Sequence, residues 1–470
     1  MDYTQLNNRI DHMFETSDFE FLDNMNICED ILNKLCDYQH FQLFNLITSL
    51  RTNKLVLNGS DTGTGKTYVT IAICKHLRLK PFIICPHIMI STWIRVCEYF
   101  EVEPLCIVNY ESIKKGKLKN TNNINAKYIT LDENFNNDRQ FIWNVPKYTL
   151  IVFDEAHHCK SKNSLNGKLL LSTKRVSCKT MLLSATISDK PESFYIFGYM
   201  LDLYRHLKQA NNWMKTIVRE EQNSLKKIKG SLLAKYIFPI KGCKIKIAEL
   251  GDKFPKNHIT ADCYHIKDED KRMVNSVFDD VGLLTGKLIA NKENSKNILN
   301  EIQAMRQKLE LIKVDIICKL VNEYLENDHS PVIFVNFRAT IEVLMKKLNT
   351  TSVIIGQQKD ETRDENINNF QNNVTNVIIC SIDCAAEGIS LHDLYGRPRV
   401  ALISPPHSSI KLEQVFGRIC RTGALSSALQ RIIYCAGTCE EVISNRINEK
   451  LKFKSTIFDD DMITIDKNKI

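Results

Sequence analysis

The stretch Leu55 to Thr67, LVLNGSDTGTGKT, restricts what this chain can fold into more than any other. A short apolar run (Leu55, Val56, Leu57) reads as a buried strand. A Gly-rich turn follows, and Lys66 and Thr67 open a helix carrying Val69, Ile71, Ala72 and Ile73. Strand, glycine turn and lysine-led helix, in that order, are what a phosphate-binding loop requires. Small residues at Gly59, Ser60, Gly63 and Gly65 let successive backbone N–H groups curl around a polyphosphate, and the helix N-terminus adds the positive end of its dipole. On this reading Lys66 reaches the β- and γ-phosphates and the Thr67 hydroxyl holds a magnesium ion. The strict pattern has glycine six residues before the lysine; Ser60 stands there instead.

A chain of 470 residues is too long for one ordinary core and predicts two or three domains. Hydrophobic residues at 43% and charged residues at 25% suffice for globular cores. No run of eighteen apolar residues occurs, and the N-terminus MDYTQLNNRIDHMFE lacks the basic-then-apolar layout of a signal peptide. The expectation is a soluble intracellular protein with no membrane partner. Sixteen cysteines are scattered without a CxxC pair; Cys380/Cys384 and Cys435/Cys439 have three residues between them and no His/Cys partners at finger spacing. They read as reduced structural residues. A net charge of +8 fits a nucleic-acid partner but does not by itself require one.

Residues 31 to 50 read as a helix that places Tyr38 and Gln39 upstream of the loop; a glutamine suits the edge of an adenine, although alone Gln39 would be read as a solvated helix residue. PFIICP (Pro81 to Pro86) is a second strand, and between Asn109 and Tyr148 the chain turns Lys- and Asn-rich. The strand in YTLIVFDEAHH then delivers Asp154 and Glu155 at its carboxyl end, where parallel sheets place catalytic groups. Asp154 would hold the magnesium through water, and Glu155 would orient and deprotonate the attacking water. TMLLSAT is a further strand ending in Ser184, Ala185 and Thr186, hydroxyls suited to a relay or equally to a cap. Residues 201–312 look helical, with helices expected at Leu201 to Lys208, Arg272 to Leu284 and Asn297 to Ile312.

From Pro331 the strands return: VIFVNF, SVIIG, NVIICS and RVALISP alternate with helical stretches, implying a second parallel α/β domain. It has no phosphate loop. It carries Gln414, Gly417, Arg418 and Arg421 in QVFGRICR, expected on a helix that puts the two arginines on one face. Arginine is the residue type that clamps a transferring phosphate.

Together these stretches resemble the motif series of superfamily 2 helicases and translocases over residues 35 to 440. GSDTGTGKT resembles motif I, CPHIMISTW motif Ia, DEAH (Asp154 to His157) motif II, SAT motif III, CSIDCAAEGISLHD (Cys380 to Asp393) motif V and QVFGRICR motif VI. The resemblance implies two RecA-like parallel-sheet domains of α/β class with a helical inter-domain insertion. It divides the chain into an extension (1–30), a first domain (31–200), the insertion (201–312), a second domain (313–450) and a tail (451–470). It also implies ATP and Mg2+ as cofactors and DNA or RNA as partner, with the Ia- and V-like segments facing the nucleic-acid backbone. Its candidate nucleotide-contacting residues are Gln39, Ser60, Thr62, Gly63, Thr64, Gly65, Lys66 and Thr67. The metal would fall to Thr67 and Asp154, and catalysis to Asp154, Glu155, Gln414, Arg418 and Arg421.

Tyr38-Gln39, Trp93, NYES (Asn109 to Ser112), Asn163-Ser164 and GISL (Gly388 to Leu391) are similar to the Swi/Snf-type branch and to helicases of large DNA viruses. SAT in place of a TGTP-like sequence, the short insertion and RTGA in place of RIGQ depart from Swi/Snf proteins. Three functions compete: a helicase or translocase, an ATPase that tracks duplex DNA without separating strands, and a scaffold that binds nucleic acid without turnover. Cytoplasm or nucleus, or virion or viral factory for a viral protein, is the expected location.

Overall fold

The computed structural model describes residues 26–438, except 115–127, 136–137, 186, 188–190, 225–231, 252–253, 291–294, 386–388 and 407–408. The tail expected over 451–470, most of the N-terminal extension, Thr186 of SAT and Gly388 of GISL lie outside the described residues. Packing divides the chain into two units, one running to Leu250 and the other starting at Gly251.

In the first unit, the strands β1 (Leu55–Asn58), β2 (Lys80–Cys85), β3 (Cys106–Asn109), β6 (Thr149–Asp154), β7 (Lys179–Leu183) and β8 (Gly242–Cys243) form one parallel sheet in the order β3-β2-β6-β7-β1-β8. The central strands are buried along nearly their whole length, which is why they appear in the sequence as unbroken apolar runs. Leu57, Phe82, Ile84, Ile151, Phe153 and Leu182 pack on Leu169, Leu170, Phe194 and Phe197 in one core. Helices α1 (Asp37–Thr52), α2 (Lys66–Leu77) and α3 (Ile90–Tyr99) precede or follow β1 and β2. The Lys/Asn-rich segment folds in part into a separate antiparallel hairpin, β4 (Ile129–Phe135) and β5 (Asp138–Trp143), rooted by Trp143 edge-on to Phe82.

The register fixes where function can sit. Leu183 pairs with Asn58 of β1 on one side and with Asp154 of β6 on the other. Adjacent strands lie about 4.8 Å apart, so the start of the glycine loop and Asp154 emerge on one sheet edge about 10 Å from each other.

The second unit repeats the plan. Strands β9 (Asn257–Tyr264), β10 (Ser330–Val335), β11 (Val353–Ile354), β12 (Ile378–Ser381), β13 (Arg399–Ile403) and β14 (Ala428–Cys435) form a parallel sheet ordered β11-β12-β10-β13-β14-β9. Ile317, Val321, Ile333, Val335, Leu344, Ile379 and Leu402 form its core. Two RecA-like parallel sheets with helices between them in sequence are therefore present, as the motif series implied.

The segment 201–312 adds strands as well as helices, since β8 and β9 close the edges of the two sheets. Helices span Asp268–Ala290 and Ser295–Ile312, covering two of the expected ones. The helix expected at Leu201 to Lys208 is absent. The helix Pro191–Met200 stops there because Asp202 takes a left-handed backbone (φ 56°) and Leu203 N–H caps Gly198 O at 2.9 Å.

Gly242 shows how tightly β8 is laid down. A Cβ at this position would lie 1.9 Å from Leu57 O, and flanking residues pair with the loop strand through Leu57 N–H to Lys241 O (3.0 Å) and Gly59 N–H to Cys243 O (2.8 Å). Gly242→Ala is expected to cost about 1–3 kcal/mol of overpacking, a drop of roughly 2–10 °C in melting temperature for a unit of this size. Thermal melts check it; an unchanged midpoint would mean that β8 does not pair so closely.

Candidate active site

The glycine loop is braced from below by Gln39 and Ser60, which the sequence singled out, and by Gln42 and Asn58, which it did not. Gly63 and Gly65 both take left-handed backbones (φ 87° and 80°), the conformations that let the chain curl back before α2. Gly65 is doubly constrained, since a Cβ there would meet Gln39 Nε2 at 2.1 Å. Gln39 is 5% exposed, so it is not the solvated helix residue that it would be read as in isolation. Its Oε1 accepts from Cys36 N–H (2.9 Å) and its Nε2 donates to Thr64 O (2.9 Å), so it ties the start of α1 to the loop. Thr64 turns its hydroxyl inward, donating to Asp61 O at 2.8 Å.

Ser60, in the place of the usual glycine, is fully buried. Its hydroxyl accepts from Gln42 Nε2 (2.8 Å) and from Ile245 N–H (3.0 Å), while Asn58 Oδ1 accepts from the same Gln42 Nε2 (2.8 Å). Asp61 accepts Ile247 N–H on its carboxylate at 2.9 Å. The residues following β8 are thereby fastened along the first half of the loop. Gln42, Asn58 and Asp61 were missed by sequence reasoning. The available signals were an asparagine ending an apolar strand and a second glutamine one helical turn after Gln39.

Lys66 heads α2 and donates from Nζ to Ser60 O (2.8 Å) and Asp61 O (3.0 Å). A phosphate drawn to Lys66 competes with these two carbonyls. Thr62, Gly63 and Thr67 lie on the same loop-to-helix turn, with Thr62 and Thr67 partly exposed.

Asp154 ends β6 with only 6% exposure. Its Oδ2 accepts from Trp93 Nε1 (2.9 Å), its Oδ1 from Glu155 N–H (3.0 Å), and its carbonyl from Tyr110 OH (2.7 Å). Burial, followed by the neighbouring Glu155 charge, pushes its carboxyl up to about 7 against the pull of Trp93 N–H, Lys66 and Glu155 N–H. Glu155 has a left-handed backbone (φ 48°) and places Oε2 3.3 Å from His157 Nδ1; Ser184 Oγ lies 3.5 Å from the same nitrogen. A loop lysine, two acids, and the Ser184 hydroxyl thus share one sheet edge. A carboxylate and a hydroxyl, Asp154 and Thr67, make the all-oxygen donor set that suits Mg2+, and a buried carboxyl resisting ionisation fits a cation site.

The second unit holds Gln414, Arg418 and Arg421, but not on one helix as expected. Helix α4 (Ser409–Phe416) ends before Gly417, where Arg418 N–H bonds to Val415 O (2.9 Å) in a tighter turn. The guanidinium of Arg418, 2% exposed, donates to Gln414 O (2.7 Å) and Ile389 O (3.2 Å). That of Arg421 donates to Gly417 O (2.8 Å) and Ser390 Oγ (2.7 Å). Both arginines thus join the QVFGRICR segment to the Ile389-Ser390 part of GISL.

Residues 32–189 match the family described as type III restriction enzyme, res subunit, and residues 312–423 match the helicase conserved C-terminal domain. A protein of Acanthamoeba polyphaga mimivirus, named "Putative ATP-dependent RNA helicase L364", is 37% identical over 454 residues, covering 91% of this chain and 84% of that protein. The chain belongs to the superfamily 2 helicases and translocases. Members of this superfamily are nucleic-acid-stimulated ATPases, and the two-sheet fold agrees with membership. The chain also resembles S. cerevisiae Dbp5 bound to RNA and ADP BeF3, with a TM-score of 0.50, 14% identity, and coverage of 91% of this chain and 92% of that one, a likeness of fold. A Sulfolobus solfataricus SWI2/SNF2 ATPase core in complex with dsDNA matches at a TM-score of 0.37 and 17% identity over 90% of this chain and 92% of that one, too weak to carry an argument. Among the described residues no helix is long and apolar enough to cross a membrane.

The raised carboxyl of Asp154 has a measurable consequence. Its ordinary value is 3.8 and its folded value about 7, so between these the folded protein holds a proton that the unfolded chain has lost. Stability contributed by this group is complete at low pH and disappears as pH rises through that window. Thermal melts of the nucleotide-free protein from about pH 4 to about pH 8 are expected to fall more steeply for wild type than for Asp154→Asn. Parallel curves would contradict the assignment.

Proposed function

We propose that this chain is an ATP-driven motor that moves along a nucleic-acid strand. The observation that carries it is the pairing of Leu183 with both Asn58 and Asp154, which sets the lysine loop beside the two acids.

On this reading Lys66 leaves the carbonyls of Ser60 and Asp61 for the β- and γ-phosphates of ATP, and the N–H groups of Gly63 to Thr67 cradle them. Thr67 and Asp154 hold Mg2+, which when bound neutralises phosphate charge and orients the chain of phosphates. Glu155 orients a water and takes its proton, and His157 positions the Glu155 carboxylate. Arg418 and Arg421 contribute positive charge to the transition state; arginines in this role are worth about 10³–10⁵ in rate. Gln414 supports Arg418 through its carbonyl. Gln39 braces the loop through Cys36 N–H and Thr64 O and retains a second amide N–H with which to meet the base.

The name of the mimivirus relative and the RNA bound to Dbp5 support RNA as the track; Trp93, NYES and GISL, which resemble Swi/Snf-type proteins, support a duplex-tracking ATPase as the second reading. Phosphate contacts carry no sequence information, so little sequence preference and a strong salt dependence are expected.

ATPase assays with single- and double-stranded RNA and DNA in parallel test this reading, with strand-separation and triplex-displacement assays to divide the two alternatives. At least one nucleic acid is expected to stimulate hydrolysis, and Lys66→Ala to lower kcat/KM by about 10²–10³. No hydrolysis with any of the four, unaltered by Lys66→Ala, would leave a non-catalytic binding protein.

A further inference from the structure

Asp154 is the meeting point of two halves of the first sheet edge. On one side of β6 lie β7 and β1, which carry Ser184 and the glycine loop; on the other lie β2 and β3. The elements leaving β2 and β3 each send one aromatic donor to Asp154. Trp93 of α3, fully buried, gives its indole N–H to Oδ2 at 2.9 Å, and Tyr110, just after β3, gives its hydroxyl to the carbonyl at 2.7 Å. Phenylalanine would fill much of the same apolar space, so the indole N–H and the hydroxyl are what distinguish these side chains.

The carbonyl held by Tyr110 belongs to the peptide that leads into Glu155, whose left-handed backbone a non-glycine residue adopts only when its surroundings impose it. One donor therefore fixes where the Asp154 carboxylate points, and the other fixes the peptide that aims Glu155. Trp93 belongs to CPHIMISTW, which resembles a segment that faces nucleic acid, and Tyr110 belongs to NYES, whose Asn109 pairs with Cys85 at the start of that segment. Neither residue lies on the glycine loop or in the acid pair.

We propose that Trp93 and Tyr110 are positioning residues that pass the arrival of nucleic acid on the α3 and Asn109–Ser112 segments to Asp154 and Glu155, and so set the stimulated rate of ATP hydrolysis. The inference rests on the functional reading above and adds the route by which stimulation reaches the acids. A strand gripping these segments shifts two hydrogen bonds, each to a group next to the reaction, without touching nucleotide itself.

Trp93→Phe and Tyr110→Phe each remove one donor and keep the ring. Each is expected to reduce the ratio of nucleic-acid-stimulated to basal ATPase about tenfold or more, the size of one hydrogen bond to a charged or catalytic neighbour, while nucleic-acid Kd stays within about twofold of wild type. Trp93 is one of three tryptophans. In a Trp143→Phe, Trp213→Phe background it is the sole indole, and its emission is expected to shift on adding nucleic acid without nucleotide. Stimulation retained in both variants, or lost in step with nucleic-acid affinity, or a Trp93 emission indifferent to nucleic acid, overturns the inference while leaving the motor intact. A wild-type protein that no nucleic acid stimulates overturns the functional reading and the inference with it.

Discussion

A carboxylate buried at the end of an apolar strand has to be held by donors or by a cation, and in this chain the N–H groups of Trp93 and Glu155 hold Asp154. The β6 run TLIVFD is enclosed on both sides by parallel neighbours, so Asp154 leaves the sheet with almost no exposure. Trp93 N–H and Glu155 N–H offset its desolvation only in part, and its carboxyl stays above the ordinary carboxylate range. The left-handed Glu155 follows from the same constraint: the chain turns sharply to present a second acid while the first stays sheltered. The neighbouring His157 and Ser184 are then placed by the 3₁₀ turn after Glu155 and by the end of β7.

The glycine loop is shaped before any phosphate enters it. Gln39, Gln42, Asn58 and Ser60 form a buried polar support beneath it, and Lys66 closes over the carbonyls above. A loop held in this way loses little conformational freedom on binding, so more of the interaction with phosphate is available as affinity. Ser60 gives up the freedom of a glycine and gains a hydroxyl that fastens the residues after β8 to the loop. The segment after β8 therefore runs hydrogen-bonded past the glycine loop as far as Ile247.

The legible parts of the fold were those written in local pattern. Continuous apolar runs revealed the central strands of both sheets, because a parallel strand is covered on both faces. The strands that escaped were β3, β8, β9 and β14. β8 has two residues, and its pairing depends on Gly242 approaching Leu57. β9 alternates polar and apolar residues as an edge strand does. β14 carries Gln430 and Arg431 in mid-run, made tolerable by Asn257 and Asp262 of β9 across the sheet, a contact invisible along the chain. The acids and the lysine were legible because spacing encodes them. The polar support under the loop was not, since it unites residues from three distant stretches. A helix over the arginine segment would put Arg418 and Arg421 on one face; Gly417 and the tight turn at Arg418 end it first.

In the second unit Arg418 and Arg421 bind the GISL segment to QVFGRICR, so a change at one is felt at the other. The proposed turnover depends on the Asp154 edge of the first sheet as an Mg2+–nucleotide site. Calorimetric titration of ADP into wild type and Asp154→Asn, each with and without Mg2+, addresses this directly. Mg2+ is expected to tighten ADP binding to wild type and to do so far less in the variant. An equal effect of Mg2+ on both proteins would contradict it.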